Sequence, residues 1–391
     1  MNAKENSGMQ RKLDSLDIKI LEALGAYGPR SILEIANGIN VPRSTVRDRI
    51  KNLKSHFSLS LRAKVYHTFI GLKKAFVFAR ATPGHERLLW ESMKANGYWL
   101  YLTARYDTPE SFYGIYGIPI DHTKEFEQLV KEMEKLEIAQ SIDLSWSTCI
   151  DTVNLTDNWY DHESESWVFE WNKWIEDIQS QGTTLPYTLV EPQSYPQKAD
   201  TIDIIILKEL QKNGECKLRD IAKLLNVPPQ KVQYHFQKHV IAKGLIEAYD
   251  PLLPYFEAVS DSYCFRFNFH NEQNMAKFAL SLREKPFVRS IGKILGNNAL
   301  FVLVYLPRDE LRGFTDSLSK LISNGLMKSY DYVIEDRSRK QLQTISYEFF
   351  KGKSWVYDHE EHMRKLHELR VRATQKKGGL NRDLLEFSQI F

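Results

Sequence analysis

Long apolar runs and cysteine are both scarce in this chain of 391 residues. No stretch reaches the roughly 18–20 consecutive apolar residues that a membrane span requires, so we expect no membrane contact. The three cysteines (Cys149, Cys216 and Cys264) lie far apart without metal-ligand spacing, which favours free thiols over a disulfide or zinc site. The first twelve residues are polar and lack the apolar core of an export signal, and we therefore expect a cytoplasmic protein.

Recognisable catalytic patterns are also missing. The chain has no Gly-rich phosphate loop, and no Ser/His/Asp or Cys/His arrangement stands out. His235 and His239 have the i,i+4 spacing of metal ligands, but the sequence offers no third ligand nearby. His359 and His362 do not form the His-Glu-x-x-His zinc pattern. We accordingly predict no catalytic residues, no cofactor, no metal and no enzymatic activity.

The small net charge of +3 conceals a strong asymmetry along the chain. Residues 11–80 contain 14 Lys and Arg against 5 Asp and Glu, a net charge of +9. Residues 81–181 contain 7 against 19, a net charge of −12. A compact basic segment next to an acidic one indicates that one face of the molecule meets a polyanion.

The chain repeats itself at an offset of 186 residues. The segment that begins at Leu16-Asp17-Ile18 matches the segment that begins at Ile202-Asp203-Ile204, and Asn40-Val41-Pro42 matches Asn226-Val227-Pro228. In the first copy, apolar residues spaced for one helical face are followed by a glycine stop, a short second helix from Ser31 and a third helix after Pro42. Ser31 and Glu34 have the spacing of a capping box. Each copy therefore predicts a helix-turn-helix domain.

We call each helix-turn-helix domain a head. Each head is followed by a strand that could form a wing, at residues 59–66 and 244–249, and then by a pattern of strands and helices in the order βαββαβ. We predict an α+β fold in which two winged helix-turn-helix domains are each followed by a ferredoxin-like βαββαβ domain, an internal duplication. The expected segments are a first head (11–68), a first ferredoxin-like domain (69–148), an aromatic helical appendage (149–181), a stiff Pro-rich linker (182–198), a second head (199–254), a second ferredoxin-like domain (255–336), a second appendage (337–370) and a loose basic tail (371–391).

The first appendage carries an aromatic stripe in which Trp167, Trp171, Trp174 and Ile178 fall on one helical face. An apolar stripe normally faces a core, so we predict that this helix packs on its own module. A ligand-binding or dimerisation surface is the alternative.

The third helix of the first head carries the residue types that read DNA. Arginine pairs with guanine edges, and Ser, Thr, Lys and the helix N-terminus contact phosphates. A charged helix is usually only a solvated face, but this one is the third helix of a repeated trihelical unit, which favours DNA binding. The predicted DNA-binding residues of this head are Arg43, Ser44, Thr45, Arg47, Asp48, Arg49, Lys51 and Lys54, with Arg49 partly engaged by an acidic neighbour.

The second head offers a weaker set because residues 198–253 carry a net charge of only +2, from 9 Lys and Arg against 7 Asp and Glu. Glutamine can read adenine, and lysine can contact phosphate. The predicted DNA-binding residues here are Gln230, Lys231, Gln233, Tyr234 and Lys238. A degenerate head that serves as a spacer is the alternative.

Each half of the chain resembles a protomer of the Lrp/AsnC family of transcription regulators. The resemblance rests on Leu16–Leu21, on Ser44-Thr45-Val46-Arg47-Asp48-Arg49-Ile50, and on Gly71-Leu72 before Ala75–Ala79. It covers most of residues 13–147 and, more weakly, 200–335, but neither the appendages nor the tail.

This resemblance implies dimers formed through the ferredoxin-like domains, which in the family often bind amino acids. One chain would then form an intramolecular pseudo-dimer on double-stranded DNA, with a small-molecule effector at Arg105 and Asp107 and at Gly296 and Asn297. Ala104-Arg105 replaces the family's glycine in the first of these elements, which weakens the effector prediction. The sequence leaves open whether two chains associate further.

Two other interpretations remain at this stage. Some relatives with this architecture are sirohaem decarboxylases, but Ala104–Ser111 and Lys293–Ala299 contain no histidine such as those enzymes use. The other is an architectural protein that binds DNA without reading bases.

Overall fold

The computed structural model describes residues 12–148, 151–152, 156–164, 166–253, 260–283 and 285–376. Cys149 and most of the predicted loose tail lie outside these residues, and residues 371–376 form the end of a long helix rather than a loose segment. Cys216 and Cys264 are free thiols, as predicted. Among the described residues, no helix has the length and apolarity needed to cross a bilayer.

The first head consists of three helices, α1 (Ser15–Tyr27), α2 (Ile32–Gly38) and α3 (Arg43–Phe57). Asp14 caps α1 in a capping box with Asp17. The capping box predicted at Ser31 is absent because the Ser31 side chain makes no cap hydrogen bond.

The second head repeats this arrangement with α7 (Thr201–Lys212), α8 (Leu218–Leu225) and α9 (Pro229–His235). Asp200 and Asp203 form the capping box of α7, as Asp14 and Asp17 do for α1. The third helix of this head continues beyond α9 as a π-helix over Phe236–Ile241.

The strands predicted as wings pair with each other across the two heads. Strand β1 (Ser60–Val65) runs antiparallel to β9 (Ile246–Leu252). We call this pair the head ribbon. Contacts of α1 with β9 and of α7 with β1 add to it, so the two heads form one unit.

The first ferredoxin-like domain contains β2 (Leu72–Ala81), α4 (Glu86–Met93), β3 (Trp99–Arg105), β4 (Ser111–Pro119), α5 (Thr123–Lys135) and β5 (Ala139–Ser147). The second contains β10 (Ser260–Asn268), α10 (Glu272–Leu282), β11 (Val288–Lys293), β12 (Ala299–Pro307), α11 (Leu311–Ser323) and β13 (Ser329–Leu342). Both follow the predicted βαββαβ order, and the predicted fold class is confirmed.

The two domains share one sheet with the strand order β5-β2-β4-β3-β13-β10-β12-β11-β6, in which β6 is Asp151–Thr152. The order closes on itself because β6 pairs with β11, and Ser147 at the end of β5 bridges Ile294. Two junctions therefore join the halves, β3 with β13 and β5–β6 with β11.

The aromatic appendages are exchanged between the halves. Helix α6 (Trp171–Ser180) packs against α10 and α11 of the second ferredoxin-like domain, and the Trp174 indole N–H donates to Ser281 Oγ at 3.1 Å. The prediction that this helix packs on its own module is therefore wrong. Trp167 is not part of the helix but lies in the strand β8 (Ser166–Trp167), which pairs with β7 (Tyr160–Asp161).

The second appendage makes the reciprocal exchange. It contains the short pair β14 (Phe350–Lys351) and β15 (Ser354–Trp355), followed by α12 (His359–Lys376). Helix α12 packs on α4 and α5 of the first ferredoxin-like domain. The linker is irregular, with one 3₁₀ turn over Tyr187–Leu189, and it buries Leu185 and Leu189 in the core of the second domain.

Candidate nucleic-acid interface

Helix α3 turns an apolar face inward and a polar face to solvent. Val46, Ile50 and Leu53 are buried in the core of the first head. This 4,3 spacing fixes the rotation of the helix, since residues three and four apart share a face. Five of the predicted DNA-binding residues are exposed on the other side: Arg43, Ser44, Arg47, Asp48 and Lys51.

The other three predicted residues of this helix are less exposed or engaged in ion pairs, and of these only Lys54 is exposed. Thr45 is half-buried. Arg49 contacts Asp14 and lies 3.2 Å from Asp17 Oδ1, so its guanidinium attaches α3 to the start of α1. Lys54 lies 2.5 Å from the Glu215 carboxylate and connects α3 to the second head.

Asp14, Asp17 and Arg49 shift one another's pKa values. Burial opposes ionisation of Asp14, but hydrogen bonds from Arg49 and from the backbone, together with the charge of Arg49, outweigh that cost and lower the pKa of Asp14. Burial, together with the neighbouring Asp14, raises the pKa of Asp17. The hydrogen bond to Asp14 raises the pKa of Arg49. Arg49 is thus held as a cation between two carboxylates and attaches α3 to α1.

The second head exposes all five of its predicted residues. Val232, Phe236 and Val240 are buried and fix the rotation of its third helix. Its solvent side carries Gln230, Lys231, Gln233, Tyr234 and Lys238. The Tyr234 ring is 57% exposed.

The predicted effector residues lie at the two junctions between the halves, one pair at each. Arg105 is the strand partner of Glu335 on β13, and its guanidinium pairs with Asp107 at 2.7 Å. At the other junction, the N–H of Leu295 donates to the carbonyl oxygen of Trp146. The next residue is Gly296, whose N–H donates to Glu191 Oε1 at 2.7 Å. Asn297 is exposed beside it. The structure does not bring the two pairs into one site.

Sequence reasoning missed a group of four potential metal ligands in the second head. Asp200, Asp203, His235 and His239 each offer one donor atom, and these atoms all lie within 4.8 Å of one another. The histidine spacing was visible in the sequence, but the carboxylates come from the start of α7, more than thirty residues earlier. The sequence did offer one signal: in the first head, Asp14 and Asp17 match Asp200 and Asp203, and Arg49 matches His235.

A second polar group lies between the halves and has no local sequence signal. The buried Glu335 carboxylate accepts hydrogen bonds from the hydroxyls of Tyr101, Tyr113 and Ser262. These residues come from four different strands, β3, β4, β10 and β13. Burial raises the pKa values of both tyrosines well above their usual range, so both remain hydroxyl donors.

Comparison with protein families identifies both heads. Residues 13–54 match the AsnC-type helix-turn-helix domain, and residues 200–238 match a winged helix-turn-helix DNA-binding domain. The resemblance found in the sequence is therefore confirmed for both heads, and the chain carries two domains of the DNA-binding type. No curated protein matches the chain.

Several solved structures are similar in architecture. The siroheme decarboxylase NirDL is 11% identical, with a TM-score of 0.49, over 92% of this chain and 99% of that chain. AsnC from E. coli is 16% identical, with a TM-score of 0.27, over 35% of this chain and 92% of that chain. A transcriptional regulator from Neisseria meningitidis, solved as its L-Met complex, is 17% identical, with a TM-score of 0.32, over 37% of this chain and 95% of that chain.

These matches correct one prediction. The sequence predicted that the chain is not an enzyme, whereas the similar structures that span nine-tenths of the chain are those of an enzyme, the siroheme decarboxylase. The prediction of no enzymatic activity is contradicted by that finding. A similarity of this size gives no particular activity to the present chain.

Proposed function

We propose that the chain regulates transcription by binding duplex DNA with both heads, which the head ribbon holds as an internal pseudo-dimer. The observation that carries the proposal is the exposure of the outward side of both third helices, although the heads pack tightly on each other. In helix-turn-helix proteins this is the helix that enters the major groove, and paired heads bind two half-sites.

In the first head, Arg43 and Arg47 are the base-reading candidates because they lie near the start of α3 and make no ion pair with any residue that the structure describes. Guanine O6 and N7 accept both N–H groups of an arginine. Ser44 and Lys51 are placed to contact phosphates on either side of the groove. Arg49 contributes indirectly, since its ion pairs with Asp14 and Asp17 fix the angle of α3.

In the second head, Gln230 and Gln233 replace the arginines as candidates for base contact, and glutamine pairs with adenine N6 and N7. Lys231 and Lys238 supply phosphate contacts. Because the two heads carry different side chains, the preferred site is two dissimilar half-sites rather than a palindrome.

The two junctions are the places where an effector would act on this arrangement. Arg105 with Asp107, and Gly296 with Asn297, each lie where a strand of one half meets a strand of the other. A small ligand bound there would contact both halves and could shift their relative placement. Such a shift would also change the relative placement of the two heads.

The test is selection of duplexes from a random pool with the purified full-length chain, followed by affinity measurements over a salt series. A specific regulator enriches a defined bipartite sequence, and its affinity falls steeply with salt because phosphate contacts release counterions. Comparable affinity for selected and random duplexes would favour the architectural alternative. Binding that does not respond to salt would overturn the proposal.

A pair of charge-matched variants tests the residue assignment. Replacing both Arg43 and Arg47 with alanine should weaken binding to the selected site by about 1–3 kcal/mol per arginine and relax base preference in one half-site. The control replaces Lys124 and Lys131 with alanine, since these are exposed residues of α5 and the change in charge is the same. Equal affinities of the two variants would refute the assignment.

A further inference from the structure

Two carboxylates and two imidazoles converge inside the second head. His235 Nδ1 lies 2.9 Å from Asp203 Oδ1 and 3.4 Å from Asp200 Oδ2. His239 Nδ1 lies 3.0 Å from Asp203 Oδ2 and 3.7 Å from Asp200 Oδ2. The Asp203 side chain is fully buried and that of His235 is 10% exposed. The group is thus a built interior site rather than a cluster of surface charges.

The first head shows what the fold requires at this place. Asp14 and Asp17 occupy the positions equivalent to Asp200 and Asp203, and the cation between them is Arg49. His235 stands 186 residues after Arg49, the offset at which the heads repeat. The second head has therefore kept the paired carboxylates and exchanged a permanent cation for an imidazole.

The helix geometry brings in the second imidazole. In α3 the buried residues Val46, Ile50 and Leu53 are spaced four and then three apart, whereas Val232, Phe236 and Val240 are spaced four and four. The π-helix over Phe236–Ile241 accommodates the extra residue. As a result Val240 enters the core and His239 turns towards Asp203. Wide turns of this kind frequently accompany functional sites.

The close nitrogen–oxygen contacts of this group each need a bridging proton or metal ion. An imidazole nitrogen and a carboxylate oxygen at 2.9–3.7 Å cannot face each other with lone pairs alone, so a proton or a metal ion must lie between them. With two neutral imidazoles, only hydrogen bonds, among them those from the backbone N–H groups of the capping box, would offset the two negative charges, and Asp203 is fully buried. One divalent ion balances both carboxylates.

We propose that the second head binds one divalent transition-metal ion of the zinc type through Asp200, Asp203, His235 and His239. Donor atoms about 2.0–2.2 Å from a tetrahedral ion are roughly 3.3–3.6 Å apart. One donor atom from each of the four residues lies within 4.8 Å of the other three, so small side-chain movements complete the coordination. Two imidazoles favour zinc or a similar ion over Mg²⁺ and Ca²⁺, which prefer oxygen ligands. The ion joins the third helix to the start of α7, as Arg49 does with α3 and α1. This site is independent of the DNA proposal.

The test uses the untagged full-length chain, freed of metal with a chelator and titrated with Zn²⁺ by calorimetry. The informative variant is His235→Arg, which copies the first head and supplies the cation within the protein. The matched control is His270→Arg, which changes an exposed histidine. Asp200→Asn is a second variant that removes one ligand at the edge of the site.

The expected result is one equivalent of Zn²⁺ bound by wild type and His270→Arg, and one equivalent fewer by His235→Arg. The Tm of wild type should fall on chelation, whereas that of His235→Arg should not respond. Co²⁺ in wild type should give the absorption of a tetrahedral ion without a sulfur charge-transfer band. Asp200→Asn should weaken binding at least tenfold.

Equal uptake of Zn²⁺ by wild type and by both His235→Arg and Asp200→Asn would overturn the proposal. A wild-type Tm that ignores chelation and falls as the imidazoles lose their protons would also overturn it, because protonated histidines would then be the cations. Neither result bears on DNA binding by α3.

Discussion

Ala63 lies directly opposite Tyr249 in the head ribbon, and Tyr249 is the residue 186 positions after Ala63, the offset at which the heads repeat. A residue that pairs with its own counterpart marks a local two-fold axis, because only there does an element meet its equivalent. The neighbouring pairs Arg62–Asp250 and Lys64–Ala248 are exchanged by this axis, because Ala248 is the counterpart of Arg62 and Asp250 is the counterpart of Lys64. The ribbon therefore presents the two third helices as a symmetric dimer would.

This symmetry predicts a fixed spacing between the half-sites of the bound DNA. Inserting five base pairs rotates one half-site by about half a helical turn, so the second head should lose contact and affinity should fall to that of a single half-site. Inserting ten base pairs returns both half-sites to the same face of the duplex but increases the distance between them. The head ribbon also fixes the distance between the two heads, so affinity should again fall. Electrophoretic mobility shifts on the three duplexes measure this. Unchanged affinity for the five-base-pair insertion would show that the heads bind independently.

Gly28 is expected to be essential to the junction of the heads. It has a φ of +75°, and a Cβ added there would lie 2.5 Å from the ring of Tyr249. Gly28→Ala should therefore cost about 1–3 kcal/mol for a backbone with φ 75° and ψ 169°, which essentially only glycine adopts, and about 1–3 kcal/mol more for the overlap. Chemical denaturation measures the loss in free energy of unfolding.

Gly84 supplies the matched control for this prediction. Its φ is +79°, but an added Cβ would have no neighbour within 4 Å. Gly84→Ala should show the backbone cost alone, so the difference between the variants isolates the contact with Tyr249. Equal losses would mean that the ring moves aside without cost.

The elements of this protein could be predicted from the sequence because their signals are local. Helical spacing around Val46 and Ile50 placed α3, and alternation in Lys74–Ala81 placed β2. The sequence did not reveal which domain a buried helix face packs against. The stripe of Trp171, Trp174 and Ile178 showed that α6 is buried, but nothing in it distinguishes the first ferredoxin-like domain from the second.

The candidate sites divide in the same way. Arg43 and Arg47 could be proposed from the sequence because both candidates lie on one helix, α3. The metal ligands could not, since His235 and His239 needed Asp200 and Asp203 from a distant helix and a π-turn that no spacing rule anticipates. The pairing of Glu335 with Tyr113 likewise depends on strands from both halves.

The exchange of appendages predicts that α6 stabilises the second half of the molecule. Trp174 is fully buried there, so Trp174→Ala should lower the free energy of unfolding by about 3–5 kcal/mol. The control is Tyr187→Ala in the linker, where the ring is 80% exposed and the expected change is within about 0.5 kcal/mol. Denaturation curves of the two variants give the comparison. A loss in Trp174→Ala no larger than in the control would contradict the packing of α6.

Acid should loosen the second appendage through His362. This side chain lies in α12 against the Tyr357 ring, with ring centroids 4.5 Å apart, and burial, assisted by the charge of Lys365, lowers its pKa to about 4. The unfolded chain therefore binds a proton near pH 6.5 that the folded chain does not accept until about pH 4. Above pH 6.5 the neutral His362 side chain does not reduce the free energy of unfolding. As the pH falls from 6.5 towards 4, that free energy decreases because only the unfolded chain binds the proton.

His362→Gln should reduce this acid-dependent loss because glutamine has no proton to bind. The free energy of unfolding of the variant should decline less steeply than that of wild type over this interval. His270→Gln serves as the control, since His270 is exposed and its replacement should leave the slope unchanged. Thermal unfolding at a series of pH values measures all three chains. Parallel curves for wild type and His362→Gln would show that another buried group, such as His67, whose pKa burial places well below its usual value, governs the acid response.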